Sequence, residues 1–423
     1  MNSETKRLLE SLLPAVHGLR FTAVHDLRFT VHGLTLSFVK IAIIGGGIGG
    51  LTAALTLRQF GFEPDVFEQA PALLEVGAAI AVWPNAMRIL ERLGLGKEII
   101  RRAGIIEQVR WLDSNGKLLN STRFPKSVAP AVALHRADLQ SVLVHAVPPD
   151  SIHLGKALLS FQEEGSEVHA RFADDSTVEC NLLIACDGLH SRVRTQLLDD
   201  SRPVFRGYTV WRATTNVMPR ELTPATAIEI HGKGKRFGLG PVGMNRIGWW
   251  ASANEPAQPG DHVESHAPDQ VHELLTLFAG WYGPVLELIA GTPDKSIVRT
   301  AAFDHPATRK WGQGRVTLLG DAVHPTTPNL GQGGCMAMED AVILARCLRQ
   351  HGATAEGLRA YERLRYSRTK AVTGLSRLYG GVGQWEKPWA TRLRSTALSL
   401  VPQVITRRLL RLVFDYEAFG VSV

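Results

Sequence analysis

Short runs of almost wholly apolar residues alternate along the chain with longer stretches of helical periodicity. The apolar runs at residues 39–44 and 316–319 are rich in β-branched residues, which predicts strands buried on both faces of a parallel sheet, and residues 64–68 are predicted to form the second strand of the first βαβ unit. Helices are predicted for residues 51–60, 83–93, 137–145 and 333–350. This alternation of strands and helices is typical of α/β folds.

The middle of the chain has a different pattern, with short strands in which apolar and polar residues alternate. Four such strands are predicted, at residues 208–215, 225–231, 236–239 and 246–253, and a loop (255–268) and a helix (271–282) follow them. We interpret this region as an inserted antiparallel layer that faces a cavity. A hairpin is predicted at 105–119 around Asn115-Gly116, and two strands joined at Asp174-Asp175 are predicted within 166–185. The last 50 residues are predicted to be helical, with an arginine-rich side.

Composition and charge are those of a globular protein with an anionic ligand or surface as partner. With 423 residues, 45% of them hydrophobic, the chain is long and apolar enough for a large core. The net charge of +7 suits an anionic cofactor or an acidic lipid surface. Nucleic acid binding is not favoured, because the cations are spread along the chain and no nucleic-acid motif occurs. The oligomeric state is left open.

The cysteines and the hydropathy indicate a cytoplasmic location. Four scattered cysteines suggest buried free thiols in a reducing compartment rather than disulfides or a metal site; they are Cys180, Cys186, Cys335 and Cys347. No apolar run reaches the roughly 18 residues that a membrane span needs. The arginine-rich stretch 389–414 is predicted either to make weak peripheral contact with a membrane or to pack on the body with its arginines in solvent.

Residues 1–38 contain three near copies of a heptad that begin at Val16, Val24 and Val31. Three such short units cannot form a repeat domain. We expect a disordered or loosely helical extension, with the folded part of the protein starting at Val39.

A glycine-rich turn lies between the first predicted strand and helix. Gly45, Gly47 and Gly50 form a GxGxxG pattern within a βαβ unit of about 30 residues. In such a turn Gly45 permits the tight bend, Gly47 lets backbone amides approach a pyrophosphate, and Gly50 lets the helix pack on the sheet. Glu68, which ends the second strand, is placed to accept hydrogen bonds from ribose hydroxyls and would repel a 2′-phosphate. The turn therefore predicts FAD or NAD rather than NADP.

Two later motifs favour FAD. Asp187-Gly188 follows a buried strand, and Gly320-Asp321 follows another. Pro328 to Gly334 then forms a second glycine-rich start of a helix, whose amides could face the electron-rich edge of an isoalloxazine ring. Asp321 could accept a hydrogen bond from a ribityl hydroxyl.

These three motifs, in this order, resemble the FAD-dependent aromatic hydroxylases, a family of salicylate-hydroxylase-like and para-hydroxybenzoate-hydroxylase-like monooxygenases. The resemblance runs from about Val39 to Arg365. It implies a Rossmann-type FAD-binding domain of the glutathione-reductase kind, formed by residues 39–204 and 300–372. It also implies an inserted antiparallel-sheet substrate domain at 205–299 and C-terminal helices at 373–423.

The resemblance further implies a cycle in which NADH or NADPH reduces FAD and O2 then hydroxylates or epoxidises an aromatic or conjugated-ring substrate through a C4a-hydroperoxyflavin. Flavin contacts are implied at Gly49, Glu68, Gln69, Ala81, Arg136, Leu158, Asp187, Asp321, Gly331, Gln332, Gly333, Gly334 and Cys335. The alternatives that remain open are a flavin-dependent dehydrogenase or reductase and a non-catalytic flavin-binding protein.

Within the family, the closest similarity is to urate hydroxylases, quinolone hydroxylases and zeaxanthin-epoxidase-like enzymes, carried by residues 76–85 and 232–236. A urate hydroxylase would offer a tyrosine about twelve residues after Arg236, where this chain has Gly248, Trp249 and Trp250. This difference favours a flatter, more lipophilic substrate of quinolone, phenol or polyene type. The substrate candidates are Trp211, Arg212, Arg236 and Trp249, and the aromatic members are equally compatible with a place in the core. No catalytic base is assigned; Arg212, Arg236 and His324 are candidates for anchoring or deprotonating a hydroxylated ring, and each is equally compatible with a structural role.

Overall fold

The computed structural model describes residues 28–31, 34–37, 39–72, 78–124, 129–198, 202–256, 265–266 and 268–423. Residues 1–39 form a unit of their own, in which β1 (Arg28–Val31) pairs antiparallel with β2 (Leu34–Ser37). The first segment contains Phe29, Thr30 and Val31 and the second contains Thr35, which are residue types that favour strands. Strands therefore replace the expected disordered or loosely helical chain in these two segments, and the rest of residues 1–38 lies outside the described part.

Residues 40–423 form the second unit. Its strands are β3 (Lys40–Ile44), β4 (Glu63–Phe67), β5 (Ala79–Val82), β6 (Gly104–Ile106), β7 (Gln108–Asp113), β8 (Leu118–Arg123), β9 (Ala131–His135), β10 (Ile152–His153), β11 (Leu158–Glu164), β12 (Glu167–Phe172), β13 (Thr177–Cys180), β14 (Leu182–Ala185), β15 (Val204–Thr215), β16 (Thr226–His231), β17 (Lys235–Pro241), β18 (Ile247–Asn254), β19 (Val298–Asp304), β20 (Gly312–Gln313) and β21 (Val316–Leu318).

The helices are α1 (Ile48–Gln59), α2 (Pro84–Arg92), α3 (Gly96–Arg102), α4 (Arg136–Ala146), α5 (Arg192–Leu198), α6 (Gln270–Leu277), α7 (Gly283–Ala290), α8 (Gly333–His351), α9 (Ala355–Gly383), α10 (Pro388–Leu400) and α11 (Gln403–Phe414). Short 3-10 turns occur at Pro149–Ser151, Asp294–Ser296, Gly320–Ala322, Pro328–Leu330 and Ala418–Gly420.

A six-stranded sheet in the order β10-β4-β3-β14-β21-β20 carries the first part of the fold. All its pairs are parallel except β20 with β21. The central strands β14 and β21 are buried at every position, as the apolar runs predict for strands with helices on both faces. Helix α1 packs against α8 beside this sheet, and their glycine-rich starts adjoin, because a Cβ atom at Gly49 would lie 3.2 Å from the Cβ of Ala337.

A seven-stranded sheet in the order β19-β15-β18-β17-β16-β7-β8 forms the predicted antiparallel layer. The layer is not confined to residues 205–299, because β7 pairs in parallel with β16 and brings the hairpin partner β8 with it. Helices α6 and α7 cover one face of this sheet through an apolar cluster that includes Leu274, Phe278 and Leu288. Two three-stranded sheets, β11-β12-β13 and β5-β9-β6, complete the body.

Two predicted boundaries differ from the structure. The second strand predicted within 166–185 is divided at Asn181, where the chain crosses from the small sheet to the parallel sheet and the Asn181 Oδ1 accepts a hydrogen bond from the Lys40 amide at 2.9 Å. The predicted helix 271–282 ends at Leu277, because Gly280 takes a φ of +76°. A further helix, α7, then begins with Pro284 in its first turn. In the predicted loop 255–268, residues 257–264 and 267 lie outside the described part.

Candidate functional site: two adjoining cavities

A cavity of about 790 Å³ lies at the carboxyl ends of the parallel strands. Three turns converge on it, one after β3, one after β14 and one after β21, and the residues of the three predicted motifs line it: Gly45, Gly47, Gly49, Asp187, Gly188, Gly320 and Asp321. Residues that are far apart in sequence therefore meet at one edge of the sheet, which is where α/β folds place ligands.

The first glycine turn has the geometry that its motif requires. Gly45 has a φ of +106°, and a Cβ atom there would lie 2.5 Å from the carbonyl oxygen of Cys186. A Cβ at Gly50 would lie 1.9 Å from the carbonyl oxygen of Gly45, whereas at Gly47 nothing lies within 4 Å. Helix α1 begins after Gly47 without a side-chain cap. Its first amides are therefore available to an anion in the cavity.

Glu68 joins the end of β4 to this turn. Its Oε2 accepts a hydrogen bond from the Gly46 amide at 2.6 Å, and its Oε1 accepts one from the Ala70 amide at 2.9 Å. The side chain also lines the cavity. Two backbone donors thus fix the carboxylate while its remaining lone pairs can accept hydrogen bonds from a ligand.

Further predicted residues lie around the same cavity, namely Gln69, Arg136, Leu158 and Asp187. Asp187 caps helix α5, because its Oδ2 accepts a hydrogen bond from the Arg192 amide at 2.8 Å. Asp321 lines the cavity and is exposed to it, while the protein around the carboxylate displaces part of its hydration and raises its pKa above the ordinary range. A carboxylate in this setting is suited to accept a hydrogen bond from a ligand hydroxyl.

The second glycine-rich helix start divides into two groups. Gly333 and Gly334 line the large cavity and also a second cavity, while Gly331, in the left-handed region with a φ of +59°, lines only the second. Gln332 and Cys335 line neither. The Gln332 Oε1 accepts a hydrogen bond from Asn85 at 3.0 Å, and Cys335 lies with its Sγ 3.8 Å from the carbonyl oxygen of Ala81. These two side chains therefore hold the loop in place.

The second cavity measures about 450 Å³ and lies against the face of the seven-stranded sheet opposite α6 and α7. It adjoins the first cavity, and the two share Ala79, Ile80, Val210, Arg212, Asp321, Thr326, Pro328, Gly333 and Gly334. Ala81 lines the second cavity and not the first. Large aromatic side chains form much of the wall: Trp83, Trp111, Trp249, Trp250, Tyr379 and Phe414.

A polar cluster lies on the sheet side of the second cavity and is centred on the buried Arg236. Its Nε donates to Gln384 at 3.1 Å, its Nη1 donates to Glu229 at 3.2 Å, and its Nη2 donates to Asn329. The Tyr379 hydroxyl donates to Glu229 at 2.7 Å. Burial, with the Glu229 charge beside it, raises the pKa of Tyr379 well above its usual value. The cluster therefore satisfies most of its own hydrogen bonds and offers few free polar groups to a ligand.

The substrate candidates lie on two different faces of the seven-stranded sheet, because successive residues of a strand point to opposite faces. Arg212 and Arg236 line the second cavity, and Arg212 lines the first as well. Trp211 lines neither, because it points to the opposite face, where it is fully buried in the cluster under α6 and α7. Trp249 borders the second cavity, but its indole stacks on Phe237 and donates to Thr292 at 3.0 Å, so it is mainly a core residue. The cavity-facing tryptophan of this pair is Trp250.

His324 was a candidate anchor or base, but it does not line either cavity. Its Nε2 lies 2.6 Å from Oδ2 of Asp340 in a buried network with Arg365. Asp340 also accepts a hydrogen bond from the Gly320 amide at 3.0 Å. This network supports the Gly320-Asp321 turn from behind.

The sequence interpretation missed several residues of the second cavity. Glu229, Tyr379 and Phe414 are the main ones. Glu229 could have been found from register, since it lies opposite Gly238 on the face that carries Arg236 and Trp250. Tyr379 and Phe414 come from α9 and α11, and no local pattern connects those helices to the sheet.

Two general expectations can be checked on the described residues. All four cysteines are free; Cys180, Cys335 and Cys347 are buried, and Cys186 is half-buried at the first cavity. Of the helices in the described ranges, none combines the length and the apolar character needed to traverse a bilayer.

Comparison with known proteins agrees with this geometry. Residues 38–376 match the family model described as "FAD binding domain". The chain is 39% identical over 367 residues to an aurachin C monooxygenase/isomerase of Stigmatella aurantiaca, with 86% of this chain and 94% of that protein covered. It is 34% identical over 372 residues to an FAD-dependent urate hydroxylase of Klebsiella pneumoniae, with 84% and 94% covered.

A solved structure agrees as well. The crystal structure of Klebsiella pneumoniae HpxO complexed with FAD and uric acid is similar with a TM-score of 0.83 and 30% identity, over 90% of this chain and 98% of that one. These relatives do not favour the dehydrogenase and non-catalytic alternatives. The resemblance seen in the three motifs is confirmed, and the chain belongs to the family of FAD-dependent monooxygenases that use NAD(P)H and O2 to oxygenate ring substrates.

Proposed function

We propose that this enzyme hydroxylates or epoxidises a flat, lipophilic, multi-ring aromatic substrate that binds in the second cavity while FAD fills the first. One observation carries the proposal: the two cavities meet along the shared residues Asp321, Gly333 and Gly334. A ring in the second cavity would therefore lie next to whatever part of the cofactor reaches that boundary.

The residues of the first cavity fit FAD. The space at Gly47 and the close backbone approach at Gly45 and Gly50 form a cradle that side chains would fill. We assign the pyrophosphate to the first amides of α1 and the adenosine ribose to Glu68. Further contacts are assigned to Gly49, Gln69, Arg136, Leu158, Asp187, Asp321, Gly333 and Gly334, and the backbone at Ala81 and Gly331 is placed beside the ring system.

The chain's own residues have three tasks in the reaction. FAD, once reduced by NAD(P)H, supplies the activation of O2. The free amides at the start of α8 stabilise negative charge at the cavity boundary, since Gln332 offers no side-chain cap there. The aromatic walls hold the substrate ring and exclude water, Arg212 orients it, and Arg236 fixes the polar side of the wall through its own hydrogen bonds.

The character of the second cavity supports a lipophilic substrate. Tryptophan and aliphatic side chains dominate its wall, and the internal pairing of Arg236 with Glu229, Asn329 and Gln384 leaves few donors for a polar purine. The relative that is 39% identical acts, by its name, on aurachin C, and we infer a substrate nearer to that compound than to urate.

The proposal extends to the organisation of the chain and its surroundings. We assign FAD binding to residues 39–204 and 300–372 and substrate binding to 205–299, with β7 and β8 as additional strands of the substrate sheet. Free thiols at all four cysteines support a reducing, cytoplasmic setting. We propose no nucleic acid partner.

A substrate screen tests this function. Purified protein with FAD is mixed with NADH or NADPH and with quinolones, phenols, polyenes and purines, while oxygen uptake and cofactor oxidation are followed. We expect multi-ring lipophilic compounds to accelerate both and purines to do so little. If no ring compound accelerates oxidation by the flavin-loaded protein, the proposed substrate class is wrong.

A variant pair links the effect to the second cavity. Arg236→Lys cannot reproduce three hydrogen bonds to three acceptors, so the ring-stimulated rate should fall at least about tenfold while FAD stays bound. Arg101→Lys, at an exposed ion pair with Glu98, is the matched control and should behave as wild type. Equal rates for the two variants would remove Arg236 from the substrate site.

A further inference from the structure

The C-terminal helices α10 and α11 form a strongly cationic surface. Residues 388–414 contain five arginines and no aspartate or glutamate: Arg392, Arg394, Arg407, Arg408 and Arg411. Arg394 is buried and donates to the carbonyl oxygens of Gly383 at 2.6 Å and Gly232 at 2.7 Å. The other four are exposed. Because no acidic side chain lies within this segment, its four exposed arginines give the outer surface a net positive charge.

The same surface exposes large apolar side chains. On α11, Leu412 is 72% exposed, Val404 60%, Leu409 50% and Ile405 48%. On α10, Leu400 is 74%, Trp389 64% and Leu393 54% exposed. Isolated exposed leucines are ordinary on a soluble protein, but a set of this size on two consecutive helices marks an interaction surface.

Helix α11 has a second, inward face. Ile405, Leu409 and Leu412 follow i, i+4 and i+7 spacing on the outer side, while Leu410 and Phe414 lie on the other side and line the second cavity. The Phe414 ring stacks on Trp83 with centroids 4.2 Å apart. Leu410 and Phe414 also line a small outer hollow beside Pro84 and Phe124. A single helix therefore separates the substrate cavity from the exposed apolar surface.

Backbone carbonyl groups hold these helices on the body. Arg368 donates to the carbonyl oxygens of Leu412 at 2.8 Å and Val413 at 2.6 Å, and Asn120 donates to those of Leu398 at 2.7 Å and Val401 at 3.1 Å. These attachments fix the helices without using their outer side chains. The outer face is therefore held ready for a partner.

We propose that residues 388–414 dock on an anionic phospholipid surface, and that α11 is the wall past which a lipophilic substrate moves between the lipid and the second cavity. Apolar residues flanked by arginines, with no acidic residue among them, fit the boundary between head groups and acyl chains of such a membrane. The docking does not depend on the proposed function, whereas the movement of substrate past Leu410 and Phe414 rests on it.

Vesicle flotation of the FAD-loaded full chain tests the docking. Wild type should float with vesicles of phosphatidylcholine and phosphatidylglycerol and bind those of phosphatidylcholine alone at least about tenfold more weakly. Ile405→Ser/Leu409→Ser/Leu412→Ser should lower binding to the anionic vesicles by about 100-fold or more. Arg392→Gln/Arg408→Gln should lower it by about tenfold or more. Met218→Ser/Met244→Ser removes exposed apolar side chains elsewhere, at 51% and 66% exposure, and should bind as wild type does.

Three outcomes would contradict the proposed docking on anionic lipid. If the wild-type protein does not bind anionic vesicles, the docking is excluded, whatever the variants do. Flavin content and a melting curve show whether each variant is folded. Binding that the serine variant retains would show that another surface contacts the lipid. If wild type ignores vesicles and instead self-associates in sedimentation, with the serine variant monomeric, the surface is an interface between copies of this chain.

The movement of substrate has a separate readout. For a ring compound dissolved in anionic vesicles, the serine variant should show a KM raised by about tenfold or more, with kcat and the KM for a water-soluble ring compound unchanged. If the serine variant and wild type have the same KM for the vesicle-dissolved compound, as they should for the water-soluble one, entry of substrate from the lipid is refuted. Failure of wild type to oxidise any ring compound would count against the proposed function alone, because the flotation result does not depend on turnover.

Discussion

The backbone amide of Gly46 donates a hydrogen bond of 2.6 Å to Oε2 of Glu68, which ties the glycine turn before α1 to the end of the neighbouring strand β4. A carboxylate is needed here because both oxygens act as acceptors, the second one for the Ala70 amide at 2.9 Å. The bond positions the two groups that we assign to the adenosine half of FAD, the ribose acceptor and the pyrophosphate cradle.

Glu68→Gln should weaken FAD binding. An amide can accept through one oxygen only, so at least one charge-assisted hydrogen bond is lost, at about 1.5–3 kcal/mol. The FAD dissociation constant should therefore rise about 10–100-fold in a fluorescence titration. Glu63→Gln, an exposed position at the start of the same strand, is the control and should bind FAD normally. A constant for Glu68→Gln within about twofold of wild type would exclude the ribose contact.

Asp321→Ala should either lose flavin or separate oxygen consumption from product formation. Asp321 lines both cavities, so its carboxylate is placed to hold the cofactor and to shape the boundary with the substrate. The measurements are flavin content and the hydrogen peroxide formed per NAD(P)H oxidised in the presence of an active ring compound. Asp150→Ala, at an exposed turn, provides the comparison. Unchanged flavin content together with unchanged coupling would refute this role for Asp321.

The sequence indicates the first cavity better than the second, and the reason is distance along the chain. Gly45 to Glu68 lie within one βαβ unit, so local spacing places them together. Trp211 and Trp250 show the limit of such patterns. Successive residues of a strand point to opposite faces of the sheet, and the sequence alone does not tell which of the two faces borders the cavity. The pairing of Arg212 with Trp250 across β15 and β18 supplies that information.

Tyr379 and Phe414 show a second limit. Both reach the second cavity from C-terminal helices, and Tyr379 accepts a hydrogen bond from Trp111 at 3.0 Å, across most of the chain. Helical periodicity predicts that α9 and α11 exist but not which sheet they pack against. The arginine-rich side was visible in the sequence, whereas its relation to the cavity wall was not.

Arg365→Met should destabilise the protein strongly. The guanidinium is fully buried and donates to Asp340 at 2.6 Å and to Glu339 at 2.8 Å. Without this positive charge, the buried carboxylates of Asp340 and Glu339 lose their main ion-pair partner, which should lower the free energy of unfolding by about 3–5 kcal/mol. Arg363→Met, exposed on the same helix, should change that free energy by less than about 0.5 kcal/mol. Denaturant unfolding of both variants measures the difference, and similar midpoints would contradict a stabilising role for the network.

His231 should make the protein less stable in mild acid. Burial, together with the nearby Arg236 and Arg394 charges, outweighs the Glu229 carboxylate 3.4 Å away and lowers the pKa of His231 from 6.5 to about 4. Between these two values the unfolded chain binds a proton that the native histidine does not bind. The stability contributed by this site is therefore complete above pH 6.5 and is lost as the pH falls towards 4.

His231→Leu isolates this effect, because the other titrating groups are common to both proteins. Between pH 8 and pH 5 the free energy of unfolding should fall by roughly 2 kcal/mol more in wild type than in the variant. Urea unfolding at the two pH values gives both numbers, and the pair at pH 8 separates any change in packing from the proton-linked part. Since His231 adjoins the Arg236 cluster, a variant that loses as much stability as wild type would mean that water reaches this side of the second cavity.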